Sequence, residues 1–154
     1  MSRTQLLDQL LLLSSMLQED QDRELGAIGL TQRRTHVMWL VHHRGPLMQR
    51  DIANEMGVTP RHVTTLVDEL IEGGFARRGP HPSDRRAVLV SLTERGTSLM
   101  ETMTIDHERL AASLTDGWSR ADVDELRSQV ETIVARLATL IADAAAERKT
   151  GDAA

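Results

Sequence analysis

The chain has 154 residues, 40% of them apolar and 27% charged, with a formal net charge of −5, the balance of one soluble globular domain long enough to bury a core. It has no cysteine, which excludes a disulfide framework, a thiolate zinc site and a catalytic or redox-sensing thiol. Trp39, Phe75 and Trp118 are the only aromatics, so the core must be aliphatic, which favours packed helices over a large sheet.

Leu6, Leu10, Leu13 and Leu17 recur at helical spacing, with Leu7 and Leu11 beside them, and predict a first helix with a broad apolar face that ends near Gly26 or Gly29. Asp8 and Gln9 interrupt this run. It is therefore neither the ~20-residue apolar span of a membrane helix nor a secretory signal, and a cytoplasmic protein is expected. Thr31 reads as the N-cap of a second helix that turns Val37, Met38, Leu40 and Val41 inward. Gly45-Pro46 closes it.

The middle of the chain is compact. Residues 49–56 predict a short helix with Ile52, Ala53 and Met56 inward, broken by Gly57. Thr59 is a second N-cap and Pro60 stands at the first helical position, where its missing N–H costs nothing. Val63, Leu66, Val67 and Leu70 then give residues 60–72 one buried helical face, and Gly73-Gly74 stops it. Two short extended runs follow, at about 75–78 and 87–92, separated by Gly79-Pro80-His81-Pro82-Ser83-Asp84, a stretch that fits neither helix nor central strand. Together these make a hairpin with a long tip.

The last third is helical again. Thr93 caps a helix running toward Leu114, and Asp116-Gly117 turns the chain. Ser119 with Asp122 carries a capping-box signature, with Trp118 and Val123 placed as a hydrophobic staple. Val123, Leu126, Val130, Ile133, Leu137, Leu140 and Ala144 alternate spacings of three and four, a heptad stripe. No third layer in the chain is available to cover it, which favours a dimer seam over a monomeric core helix. The expected divisions are 1–30, a lobe at 31–93, 94–146 and a flexible tail at 147–154.

The acidic total hides an asymmetry. Residues 1–30 carry two basic and five acidic side chains, residues 31–93 nine and six, and residues 94–154 seven and twelve. A basic middle between acidic ends suggests an anionic partner for the middle. The outward side of the 60–72 helix begins with Thr59, Arg61, His62, Thr64 and Thr65, groups short enough to reach base edges and phosphates. A helix N-terminus attracts phosphate, and a B-DNA major groove of about 12 Å admits one such helix. Arg77, Arg78, Arg85 and Arg86, with Asp84 as the one acid, surround the hairpin tip, and Arg at such a tip suits the narrow minor groove. Alone, either group reads as solvated surface. Two helices around a tight turn followed by a basic hairpin make a winged helix-turn-helix.

From Leu30 to Gly96 the chain resembles the MarR family of transcriptional regulators. The resemblance rests on Leu30-Thr31, Arg50-Asp51-Ile52-Ala53, Met56-Gly57-Val58-Thr59, Val63-Thr64, Leu66-Val67-Asp68, Leu70, Gly74-Phe75 and Arg77-Arg78. It is most specific at Asp84-Arg85-Arg86 and on through Leu92-Thr93-Glu94-Arg95-Gly96. It implies a homodimer on a pseudo-palindromic duplex DNA operator, with half-sites ~10 bp apart, in which 1–30 and 94–146 are the dimerisation helices, through Leu6, Leu10, Leu13 and Leu17 and the stripe from Val123 to Leu140. It also implies a repressor relieved by a small phenolic or other aromatic ligand. By position, the recognition-helix contacts fall on Thr59, Arg61, His62, Thr64 and Thr65, the wing arginine on Arg86, and its orienting acid on Asp84. Two positions depart from the family pattern: Thr65 stands where Arg is frequent, and Met48 stands where Ser or Thr caps the first helix of the motif.

Other classes are weaker. Among six histidines, His42 and His43 point about 100° apart on a helix, and His36 and His43 are two turns apart, so no metal site and no cofactor is expected. No nucleophile or phosphate-loop motif supports an enzyme. Trp39 is expected in the core, and Met16, Met38, Met100 and Met103 as gap fillers or pocket lining. The acidic total keeps open a winged-helix module that binds proteins or ligands and has no operator of its own.

Overall fold

The structure, a computed structural model, describes residues 2–84 and 87–151. The chain divides by its internal contacts into two units, Met1–Ile105 and Asp106–Ala154.

In the first unit, α1 (Arg3–Ala27) opens with a reciprocal cap. The Ser2 hydroxyl accepts from the Gln5 amide at 3.2 Å, and the Gln5 side chain accepts from the Ser2 amide at 2.7 Å. Leu25 is its one buried residue. Leu6 and Leu13 are exposed, Leu10 and Leu17 half-buried. Next comes α2 (Gln32–Arg44), capped by Thr31, whose side chain accepts from the Arg34 amide. It buries Val37, Met38, Leu40 and Val41.

The helix-turn-helix consists of α3 (Gln49–Met56) and α4 (Pro60–Glu72), with the bounds the periodicity predicts. Gly57 ends α3 at φ 63°, a left-handed conformation that favours glycine, and its N–H and that of Val58 return to the last turn of α3. Ile52 and Ala53 of α3 and Val63, Leu66, Val67 and Leu70 of α4 are buried with the α2 residues, Phe75, Ala76 and Val90 in one core. Met38 and Met100 belong to this core, Met103 packs against it, and Met16 is exposed.

The wing is β2 (Ala76–Pro80) paired antiparallel with β3 (Val88–Leu92), in register from Ala76↔Leu92 to Pro80↔Val88. A strand the sequence did not suggest, β1 (Leu47–Met48), lines the other edge of β3 through Leu47↔Val90 and Met48↔Leu89, giving the order β1-β3-β2. Two residues after Pro46 show no alternation to read. The architecture is mostly helical with a small three-stranded sheet. It continues into α5 (Glu94–Leu114), which crosses into the second unit.

There, a turn through Gly117 leads to α6 (Arg120–Gly151). The expected capping box forms. Asp122 Oδ2 accepts from the Ser119 hydroxyl at 2.6 Å and amide at 2.9 Å, and the Asp122 amide donates back to Ser119 Oγ at 3.2 Å. Those bonds, the hydroxyl's first, hold the Asp122 carboxyl below its ordinary value. A lowered carboxyl stabilises the fold above its unfolded pKa and loses that contribution as pH falls through the folded one. An NMR titration should therefore find Asp122 below a model carboxylate, and Ser119→Ala, which removes the hydroxyl and keeps the amide, should raise it part of the way back. A midpoint unmoved by that substitution would remove the cap as the cause. The helix runs to Gly151, past the expected start of a flexible tail at 147. No helix among the described residues is long and apolar enough to cross a membrane.

Trp39 corrects an expectation. It is 51% exposed and stacks on His43, with ring centroids 3.8 Å apart. Its neighbours Met38 and Leu40 are buried; at about 100° per residue, that core-facing arc does not extend to position 39.

Candidate nucleic-acid interface

The N-terminal turn of α4 is built for exposure. The apolar stripe faces the core, which leaves Thr59, Arg61, Thr64 and Thr65 exposed and His62 half-buried. Thr59 Oγ1 accepts from the His62 amide at 3.3 Å, satisfying one orphan donor of the helix start. Arg61, in the first turn of α4, has no ion pair among the described residues. His62 Nε2 lies 3.3 Å from Arg33 Nη1 of α2; a guanidinium only donates, so this nitrogen is the acceptor.

Three other lobe arginines are paired with acids. Arg34 Nε lies 3.0 Å from Glu69, Arg44 pairs with Glu55, and Arg50 lies 3.6 Å from Asp51. Among the described residues, Arg61 and the Arg33 that meets His62 are left without an ion pair at the start of α4.

The wing arginines divide. Arg77 and Arg78 lie within β2, in the extended run expected at 75–78, and pairing continues two residues further to Pro80, so the tip begins beyond them. Arg77 is exposed, with Nε donating to Ser91 Oγ at 3.2 Å across the ladder. Arg78 turns back to α4, where Nη1 meets Asp68 at 2.7 Å. It also meets Gln49 at the start of α3. In the amide orientation that satisfies both sides, Gln49 accepts from Arg78 Nη2 at 2.8 Å and Nε at 3.2 Å and donates to Thr64 Oγ1 at 3.1 Å. Sequence reasoning missed Gln49: nothing marks a lone Gln as the link between two helices and a strand. It also missed His81, whose Nδ1 accepts from the Ser83 and Asp84 amides, both at 3.2 Å, and so shapes the tip. Asp84 is exposed at that tip. Arg85 and Arg86 lie outside the described residues. Met48 makes no side-chain cap to α3, as its chemistry requires.

The leucine face of α1 in the first unit and the α6 stripe in the second are two further apolar surfaces. Val123, Leu126, Val130, Ile133, Leu137 and Leu140 are 36%, 43%, 40%, 38%, 54% and 65% exposed. No described residue of α6 is buried.

A helix-turn-helix whose second helix presents polar side chains at its start, followed by an antiparallel wing, defines the winged helix-turn-helix class. Residues 30–88 match the MarR family model. That match covers the winged lobe, and relatives similar to this chain are named HTH-type transcriptional regulators. The HTH-type transcriptional regulator YfiV of Bacillus subtilis is 33% identical over 72 residues, 47% of this chain and 45% of YfiV. The chain thus spans about half the length of that relative. The HTH-type transcriptional repressor IacR of Pseudomonas putida is 26% identical over 122 residues, 79% of this chain and 73% of IacR. FabT of Streptococcus pneumoniae, solved in complex with DNA, has the same fold, with a TM-score of 0.80 at 18% identity over 90% of this chain and 99% of that one.

Proposed function

We propose that this protein is a homodimeric, sequence-specific DNA-binding transcriptional regulator acting in the cytoplasm, and a repressor of a nearby operon. The start of α4 enters the major groove and the wing follows the adjacent minor groove. The observation that carries this reading is the exposed Arg61 in the first turn of α4, without an ion pair among the described residues, while Arg34, Arg44 and Arg78 of the same lobe are paired with acids. An arginine there can take the two acceptors of a guanine edge bidentately, while the helix N–H groups take a phosphate. Arg77, Asp84, Arg85 and Arg86 belong to the wing contact, and Arg78 to the brace behind it. The repressor assignment is supported by IacR, a named repressor that this chain matches over most of its length. A small aromatic effector would find an exposed aromatic face in the lobe at Trp39 and His43.

The two apolar surfaces call for a second copy. Two lobes on a two-fold axis read half-sites one helical turn apart, about 34–36 Å. The test is to incubate the protein, and its Arg61→Ala variant, with sheared DNA from its own genome and sequence what is retained. The wild type should enrich a pseudo-palindromic site. The variant should bind with its preference relaxed at one position per half-site, a loss of about 1–3 kcal/mol of discrimination there. If the wild type enriches nothing, the winged lobe serves a protein partner instead.

A further inference from the structure

Two of the threonines on the outward side of α4 do not have a free hydroxyl. A threonine hydroxyl carries one donor and two acceptor lone pairs. Thr64 Oγ1 donates to the Pro60 carbonyl at 3.0 Å and lies 3.1 Å from the Gln49 amide, which donates to it. Gln49 cannot easily turn away, because its oxygen is held by Arg78, and Arg78 is held by Asp68 at 2.7 Å. Thr65 Oγ1 donates to the Arg61 carbonyl, at a longer 3.4 Å and without a second partner. Thr64 is thus the residue whose hydroxyl is fixed from both sides, on a helix turn that is otherwise exposed. With the hydroxyl so held on an exposed residue, the γ-methyl is the side-chain group left for a partner.

We propose that Thr64 is a specificity-determining residue that reads the C5-methyl of a thymine in the major groove through its own methyl group, with its hydroxyl locked to Pro60 and Gln49. This rests on the DNA-binding reading above. Threonine methyl against thymine methyl is an apolar contact open to this residue type, and it distinguishes thymine from the other bases without a hydrogen bond. The brace then has a second consequence: by fixing the hydroxyl, Asp68, Arg78 and Gln49 determine which part of Thr64 faces the duplex.

The experiment uses the full chain and the duplex it enriches from genomic DNA. Each thymine of one half-site is replaced in turn by deoxyuridine, which lacks only the methyl, and affinity is read by fluorescence anisotropy at fixed salt. One position should weaken wild-type binding by roughly 3- to 10-fold, the scale of one buried methyl with its packing. At that position Thr64→Val, which keeps the methyl and drops the hydroxyl, should still prefer thymine, whereas Thr64→Ser should bind both duplexes alike. The proposal is overturned if no deoxyuridine changes wild-type affinity, or if Ser keeps the preference and Val loses it. Should the Val variant lose helical content, the wild-type deoxyuridine series decides alone. A chain that retains no duplex at all overturns the DNA-binding reading, and this inference with it.

Discussion

By light scattering the wild type is expected to run at the mass of two chains and a Val130→Glu, Leu137→Glu double variant at one, with operator affinity lower by about 10²–10⁴-fold. The reasoning starts from the helix itself. Thirty-two residues of α6 hold a three–four apolar stripe of which no described member is buried. Helices of globular proteins take most of their stability from packing an apolar face, so α6 as seen in one chain lacks its partner surface. Covering each stripe residue stabilises by on the order of 1 kcal/mol at ~25 cal/mol per Å². A carboxylate placed in such a seam must be desolvated without a partner, which costs several kcal/mol per ion. Two per chain, four per dimer, exceed what the seam supplies. The affinity loss follows because two lobes on one axis bind as a unit and separate lobes do not. Val130→Ile with Leu137→Ile keeps the stripe apolar and should remain dimeric. A Glu variant that stayed a dimer would place the interface elsewhere.

The lobe was legible in the sequence to different depths at different residues. The bounds of α3 and α4 follow from strong local signals: Gly57 in a left-handed turn, Thr59 with a side-chain cap, Pro60 at the first helical position, and an apolar stripe of period 3.6. The two strands of the wing follow from Gly and Pro punctuation, yet their extent does not. Pairing runs on through Gly79 and Pro80, two residues past the expected end of the first run, so the tip begins further from Arg77 and Arg78. Periodicity also misplaced Trp39, because an apolar residue just outside a buried arc looks like part of it until the partner elements are in place. Least legible were contacts between elements far apart in the chain. Gln49, Asp68 and Arg78 come from α3, α4 and β2 and meet only once the core is formed. Each is an ordinary surface residue type, and no spacing rule links them. Of the outward residues of α4, position alone identified which are exposed. The hydrogen bonds that decide what Thr64 presents required coordinates.

Gly96→Ala is expected to destabilise the lobe by about 3 kcal/mol, the upper part of the overpacking range, lowering Tm by roughly 6–12 °C. Gly96 is buried at the start of α5, and a Cβ there would collide with the carbonyl oxygen of Phe75. That carbonyl cannot withdraw freely. It accepts from the Thr93 amide at 3.0 Å, while Thr93 Oγ1 donates to Gly74 O at 2.7 Å and accepts from the Gly96 amide at 3.1 Å. Arg95 closes the other side: its guanidinium lies 4.3 Å from the Phe75 ring centroid and donates to Gly73 O at 3.0 Å. Thr93, Arg95 and Gly96 thereby clamp the turn between α4 and β2, which sets the angle between the helix and the wing. This is the physical content of the Leu92-Thr93-Glu94-Arg95-Gly96 segment. Gly26→Ala is the control. It lies within α1 with nothing within 4 Å of a built Cβ and no positive φ, so alanine should be neutral or stabilising there by up to about 1 kcal/mol. Thermal denaturation of the two variants should move Tm in opposite directions or leave Gly26→Ala unmoved. Equal losses in both would mean that chain flexibility, and not the Phe75 carbonyl, requires glycine at position 96.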